Sequence, residues 1–245
     1  FGNEAYILTG YFNLPKILEL TLFNGYDNET QQQLGLKLGY AEDFKTYDEL
    51  FEAFKKQVKY FEDIKVQGSN VITRIYAKYM PAPFLSIITD DCIASGKDYN
   101  AGGARYNTNY LQGVGIGTIT DSLAAIKYNV YDEKKFTMHE LIEAMKHNFE
   151  GPEYAHIYNL VSTKSPKYGN DDDYADDIMK EVFNYYQKTI TGRPNMRNGQ
   201  WRINMLPTTC HVYFGEVMMA SPNGRHAHKP VSEGISPEKS ADIYG

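Results

Sequence analysis

A chain of 245 residues, 42% hydrophobic and 23% charged, has the composition of a globular protein and suits one large domain or two small ones. A formal net charge of −6 with no basic stripe argues against nucleic acid as a main partner. No apolar run reaches the roughly 18–20 residues of a membrane span, and no charged stretch followed by an apolar one opens the chain as a signal peptide would.

Two cysteines, Cys92 and Cys210, make no disulfide framework, so a reducing cytoplasm is the expected compartment. Tyrosine is abundant, 21 against 12 phenylalanines, so many rings carry a hydroxyl that needs water or a partner. Phe1 at one end and SADIYG at the other are expected to be cuts in a longer polypeptide.

In chain order, Asn13-Leu14-Pro15 followed by KILELTLFNG reads as an N-cap, an early proline and an apolar-periodic helix stopping at Gly25. Gly25 to Tyr40 reads as an irregular or β excursion. Thr46-Tyr47-Asp48-Glu49 is a capping box opening a long helix, with Leu50, Phe51, Phe54, Val58, Phe61 and Ile64 at helical spacing. Pro81-Ala82-Pro83 ends that region. PFLSIITDDC is a helix or a short strand, and a glycine-rich loop follows, Gly102-Gly103-Ala104-Arg105-Tyr106-Asn107. LQGVGIGTIT resembles a buried strand, with a helix starting at Thr120-Asp121. Thr137-Met138-His139-Glu140 is a second capping box. SPKYGNDDDYADD leads into an acidic helix start; that helix runs to about Ile190 and is closed by Gly192 and Pro194. MLPTTCHVYFGEVMMASPNG reads as one strand ending in a Pro-Asn-Gly turn. The whole is α/β, rich in helix and poor in strands.

Few residues point to chemistry. Gly113-Val114-Gly115-Ile116-Gly117 approaches a nucleotide-loop pattern but misplaces the third glycine, and close backbone packing explains it better. Asn170 to Asp177 lacks the spacing and closing glutamate of a calcium loop and suits a helix start instead. Cys210 and His211, as neighbours on a strand, would point to opposite faces, which excludes a shared metal or a Cys-His nucleophile. His226 and His228 would share a face if extended, without a third ligand nearby. Thr208, Thr209 and Tyr11 are polar groups that fit either a core or a pocket wall.

Several blocks occur together and in order: GYFNLPKILEL at 10–20, DYNAGGARYN at 98–107, LQGVGIGTITDSLAAIK at 111–127, NFEG at 148–151 and PKYGNDDDYADDI at 166–178. LPTTCHVYFGEV at 206–217, ASPNGR at 220–225 and KPVSEGISPEKSAD at 229–242 complete them. Over nearly its whole length the chain resembles the glycyl radical enzyme family, which includes pyruvate formate lyase. YILTGYFNLPKILELTLFNGYD, QGVGIGTITDSLAAIKYNV and LPTTCHVYFGE are most similar to the branch that dehydrates trans-4-hydroxy-L-proline to pyrroline-5-carboxylate and water.

The resemblance implies a ten-stranded α/β barrel of two half-barrels, of which residues 1–245 would be an internal piece: the second half-barrel region with its surrounding helices. It implies that the thiyl cysteine and the base glutamate lie upstream of Phe1, and that the radical glycine lies downstream of Gly245. No catalytic residue and no metal ligand is then expected in this chain; the cofactor, a glycyl radical, belongs to the absent part. Tyr11 matches a tyrosine lining the hydroxyproline pocket, and Thr208 a threonine close to the substrate. The implied partners are the small-molecule substrate, a radical S-adenosylmethionine activating enzyme and a second copy in a homodimer, in the cytoplasm. Two alternatives stay open. One is another glycyl radical lyase or decarboxylase, such as a diol dehydratase or a C–N or C–S lyase. The other is a non-catalytic fragment or accessory chain.

Overall fold

The computed structural model describes residues 2–244, and the chain folds as two compact units. The first comprises Phe1–Phe12, Phe61–Gln112 and Tyr186–Asn204; the second comprises Asn13–Tyr60, Gly113–Tyr185 and Met205–Gly245.

The first unit is built on a three-stranded sheet in the order β1 (Glu4–Asn13), β4 (Tyr106–Val114), β5 (Gln200–Asn204). β4 and β5 run parallel, with Thr108 opposite Gln200 and Gln112 opposite Asn204. The C-terminal half of the long helix α2 (Tyr47–Tyr79) packs here, and Asn70 accepts a 3.2 Å hydrogen bond from the fully buried indole of Trp201. Pro81 and Pro83 stop α2, and PFLSII forms a helix, α3 (Pro83–Ile88), followed by one turn, α4 (Cys92–Ser95). Asp98 organises this corner by accepting from the Ala82 and Asn100 amides and the Ser86 hydroxyl, each at 2.8 Å.

The most demanding group in this unit is Arg197, 1% exposed, with no carboxylate bonded to it among the described residues. Its guanidinium donates to the carbonyls of Ala5 and Thr108 and to Asn109 Oδ1, so one cation ties β1 to β4. Burial draws its pKa down to about 10.

The second unit holds α1 (Leu14–Leu22), a hairpin pairing β2 (Tyr26–Asp27) with β3 (Gln32–Gln33), the start of α2, the helices α5 (Ile116–Ile126), α6 (Met138–Lys146), α7 (Ala155–Asn159) and α9 (Cys210–Glu216), and most of α8 (Asp173–Ile190). The start of α1 is as the sequence predicts: Asn13 Oδ1 accepts from the Lys16 amide and Pro15 sits in the first turn. Thr46 caps α2 through the Glu49 amide, but Glu49 reaches back to the Lys45 amide, one residue before a strict capping box. The box at Thr137 and Glu140 opens α6 (Met138–Lys146) as expected. α8 (Asp173–Ile190) begins after Asp172, whose side chain accepts from the Tyr174 amide, so the acidic run is a helix start.

Two strand expectations fail. β4 begins five residues before Leu111 and ends at Val114, and α5 (Ile116–Ile126) takes over four residues before Thr120. Gly115 makes that switch at φ +87°, where a Cβ would also strike Pro15 Cγ at 2.5 Å. Met205–Gly224 is not one strand either: Cys210–Glu216 is a helix, α9, with a turn at Ser221–Arg225.

Close packing does account for the glycine-rich stretch, although on a helix rather than a strand. A Cβ on Gly117 would lie 2.7 Å from the backbone of Ser236 and Glu238. Gly117→Ala should therefore destabilise the folded protein by about 1–3 kcal/mol. Gly68→Ala, on an exposed turn of α2 with open space around it, should be neutral or stabilising by about 0.5–1 kcal/mol. Denaturant unfolding of the two variants checks this; equal effects would contradict it.

Candidate functional site

β1 carries the first unit's polar aromatic surface. Tyr6 stacks on Tyr110 with ring centroids 4.3 Å apart, and its hydroxyl accepts a 2.5 Å bond from Asn204 Nδ2 on β5. Burial raises the Tyr6 phenol. Thr9 Oγ1 donates to the Tyr110 carbonyl at 2.8 Å. A cavity of about 510 Å³ opens between β1 and α2, with Tyr6, Ile7, Thr9, Thr73, Tyr76 and Tyr99 among its walls. Tyr11 lies further along β1 and is 41% exposed.

Thr208 belongs to the second unit, in the turn before α9. Its hydroxyl is 2.7 Å from Cys210 Sγ, and its carbonyl accepts from His211 Nδ1 at 2.6 Å. The half-buried Thr208 is thus gripped twice, and Thr209 beside it is exposed. The two following residues do not diverge as strand neighbours would; the first turn of α9 turns both toward Thr208. α9 itself is tied to α1: Asn13 Nδ2 donates to the Phe214 carbonyl at 3.3 Å. Lys16 Nζ, bonded to Glu19 and Asp27 at 2.6 Å each, also reaches the Val217 carbonyl at 2.8 Å. Glu19 completes the clamp by accepting from the Met219 amide. Burial raises the Glu19 carboxyl, whereas in Asp27 the bonds from Lys16 and Thr30 outweigh burial and lower it.

A second polar cluster in this unit was not legible in the sequence. Thr118 and Ser232 exchange hydrogen bonds between side chain and backbone in both directions. Thr118 also donates to Glu238 in a very short bond, and Asn223 reaches the same carboxylate. Asp121, wholly buried, accepts from the Tyr168 amide at 2.8 Å and lies 3.9 Å from Lys167 Nζ. Arg225 is held by the carbonyls of Met219, His226 and Lys229 and by the Ser221 hydroxyl. Burial drives the Asp121 carboxyl up to about 7, raises Glu238 and lowers Lys167 and Arg225.

His226 and His228 do not share an extended face, since His228 adopts φ +61° and their Nδ1 atoms go to the Asn148 and Glu216 carbonyls. No group of three His, Cys, Asp or Glu side chains among the described residues could hold a metal ion. None of the helices is long and apolar enough to cross a membrane among those residues.

The raised Asp121 carboxyl has a measurable consequence. In the folded chain it keeps its proton up to about pH 7, whereas unfolded it ionises near its ordinary 3.8. Between those values the folded state holds a proton that the unfolded state has released, so this group's contribution to stability falls as pH rises. Asp121→Asn should flatten the fall in stability between pH 4 and pH 7. Unfolding free energies across that range test it; an unchanged slope would contradict it.

Residues 1–215 match the pyruvate formate lyase-like family. A trans-4-hydroxy-L-proline dehydratase of Clostridioides difficile is 64% identical over 245 residues, covering 100% of this chain and 31% of that protein. A (2S)-3-sulfopropanediol dehydratase of Klebsiella oxytoca is 37% identical over 228 residues, covering 93% of this chain and 27% of that protein. The crystal structure of the C. difficile hydroxyproline dehydratase with trans-4-hydroxy-L-proline bound superposes with a TM-score of 0.97 over 100% of this chain and 31% of that one. The chain therefore spans under a third of the length of these relatives. With the family match extending over most of its residues, the chain belongs to the pyruvate formate lyase-like family of glycyl radical enzymes.

Proposed function

We propose that the full-length protein is a glycyl radical dehydratase that converts trans-4-hydroxy-L-proline to pyrroline-5-carboxylate and water. The observation that carries this reading is the 64% identity, sustained along the entire chain, to a relative bearing that activity in its name, against 37% for a diol-type dehydratase. The chain forms part of a ten-stranded barrel, the second half-barrel region with its helices. The thiyl cysteine, the base glutamate and the glycine that carries the radical belong to stretches outside it.

Neither cysteine in this chain fits the thiyl role. Cys92 is buried against Ala5 and Ala104, and the Cys210 thiol is engaged by Thr208. The glycyl radical, acting through the thiyl cysteine outside this chain, would supply hydrogen-atom abstraction from the substrate. This chain's part is to shape the chamber: rings such as Tyr11 exclude water, and the Thr208 hydroxyl orients the pyrrolidine. A radical S-adenosylmethionine enzyme would activate the protein, which would act as a cytoplasmic homodimer.

The full-length protein, activated without oxygen, should release pyrroline-5-carboxylate from trans-4-hydroxy-L-proline. Thr208→Ala and Tyr11→Ala should each lower kcat/KM by roughly tenfold or more, as loss of an aimed hydroxyl or a wall ring implies. Turnover of a diol or a sulfonate in its place would replace the substrate reading, and wild-type kinetics in both variants would remove these residues from the pocket.

A further inference from the structure

We infer that Cys210 is a positioning residue that sets the orientation of the Thr208 hydroxyl, an inference that rests on the pocket role proposed for Thr208. A threonine hydroxyl offers one donor and two acceptor positions. The Cys210 sulfur, 2.7 Å away, occupies one of them and so decides where the others point. The sulfur is itself fixed: Cys210 packs with Phe214 against the buried cluster of Val114, Met218 and Val231. The backbone beneath is fixed as well, because the His211 ring donates from Nδ1 to the Thr208 carbonyl at 2.6 Å. Hydroxyl and carbonyl of one residue are therefore held by the two residues that open α9, and α9 is tied to α1 through Asn13 and Lys16.

Held this way, the hydroxyl loses less rotational freedom when it meets a substrate. With the thiol removed it can rotate, and its proton or lone pair is presented in the right direction only part of the time. The substrate then binds less well although every wall residue is still present. A thiol is suited to the place because one face is apolar enough for the Val114 cluster and the other still makes a hydrogen bond.

The test is a double-mutant cycle in the full-length, radical-bearing enzyme, with Cys210→Ala, Thr208→Ala and the double variant assayed on trans-4-hydroxy-L-proline. Cys210→Ala removes the hydrogen bond together with the sulfur's packing; it should lower kcat/KM roughly tenfold, mostly through KM. Cys210→Ser, which restores a hydrogen-bonding atom, should recover much of that loss. In the Thr208→Ala background the Cys210→Ala change should cost nothing further. A purely structural cysteine would give losses that multiply in the double variant, with no recovery in Cys210→Ser, and that result would overturn the inference while leaving the substrate reading intact. A wild-type enzyme that leaves hydroxyproline untouched would overturn both.

Discussion

Thr118, Asp121, Lys167, Asn223, Arg225 and Glu238 lie where water has little access, and each of these groups has to find a partner in some other part of the chain. That requirement organises the second unit. Asp121 is on α5, Lys167 on the loop before α8, Arg225 in the turn after α9, and Glu238 near the end of the chain. Leaving one buried polar group unmatched costs about 1–3 kcal/mol, against a whole-domain stability of about 5–15 kcal/mol. The four segments must therefore arrive together. They are also four of the blocks that carry the family likeness, which gives LQGVGIGTITDS, PKYG, ASPNGR and the serine-glutamate tail a shared physical task. In the first unit Arg197 does similar work alone, by drawing carbonyls of β1 and β4 to one guanidinium.

Elements whose determinants are local were readable from the residues. Asn13 and Pro15 start α1, Thr137 and Glu140 start α6, and Pro81 and Pro83 end α2; each signal acts within one turn of its helix. β1 and β5 were not foreseen, and β4 was entered too late, at Leu111. The reason is visible in β4. Asn107, Thr108 and Asn109 look like loop residues, yet all three are buried in the strand. Asn195 donates to the Asn107 carbonyl and to Asn109 Oδ1, and Arg197 takes the Thr108 carbonyl. Partners nearly ninety positions away leave no periodic trace near the strand they stabilise.

The stretch from Met205 to Gly224 misled for the opposite reason. Threonine, valine, tyrosine and phenylalanine in succession favour a strand by propensity, and tertiary packing overrides that preference. Gly215 brings α9 so close to Lys229 that a Cβ would lie 2.0 Å from its carbonyl, and Phe214 is bonded through its carbonyl to Asn13. These contacts suit the short helix and depend on residues before and after it. Tyr11 and Thr208 as pocket residues came from family likeness alone, since an exposed ring and a half-buried hydroxyl carry no chemical signature of their own.

The change from strand to helix alters the meaning of one motif. In an extended Thr-Thr-Cys-His segment the cysteine and histidine leave on opposite sides, and neither can serve the threonine's surroundings together with the other. In the first turn of α9 the residues two and three positions after Thr208 come back to it, the thiol to its hydroxyl and the imidazole to its carbonyl. The exclusion of a Cys-His nucleophile survives, but on different ground: Cys210 and His211 each bond to Thr208 and not to each other. What the local fold makes of these four residues is a support for one side chain, so the chemical interest of the motif moves from its reactive-looking members to the threonine they hold.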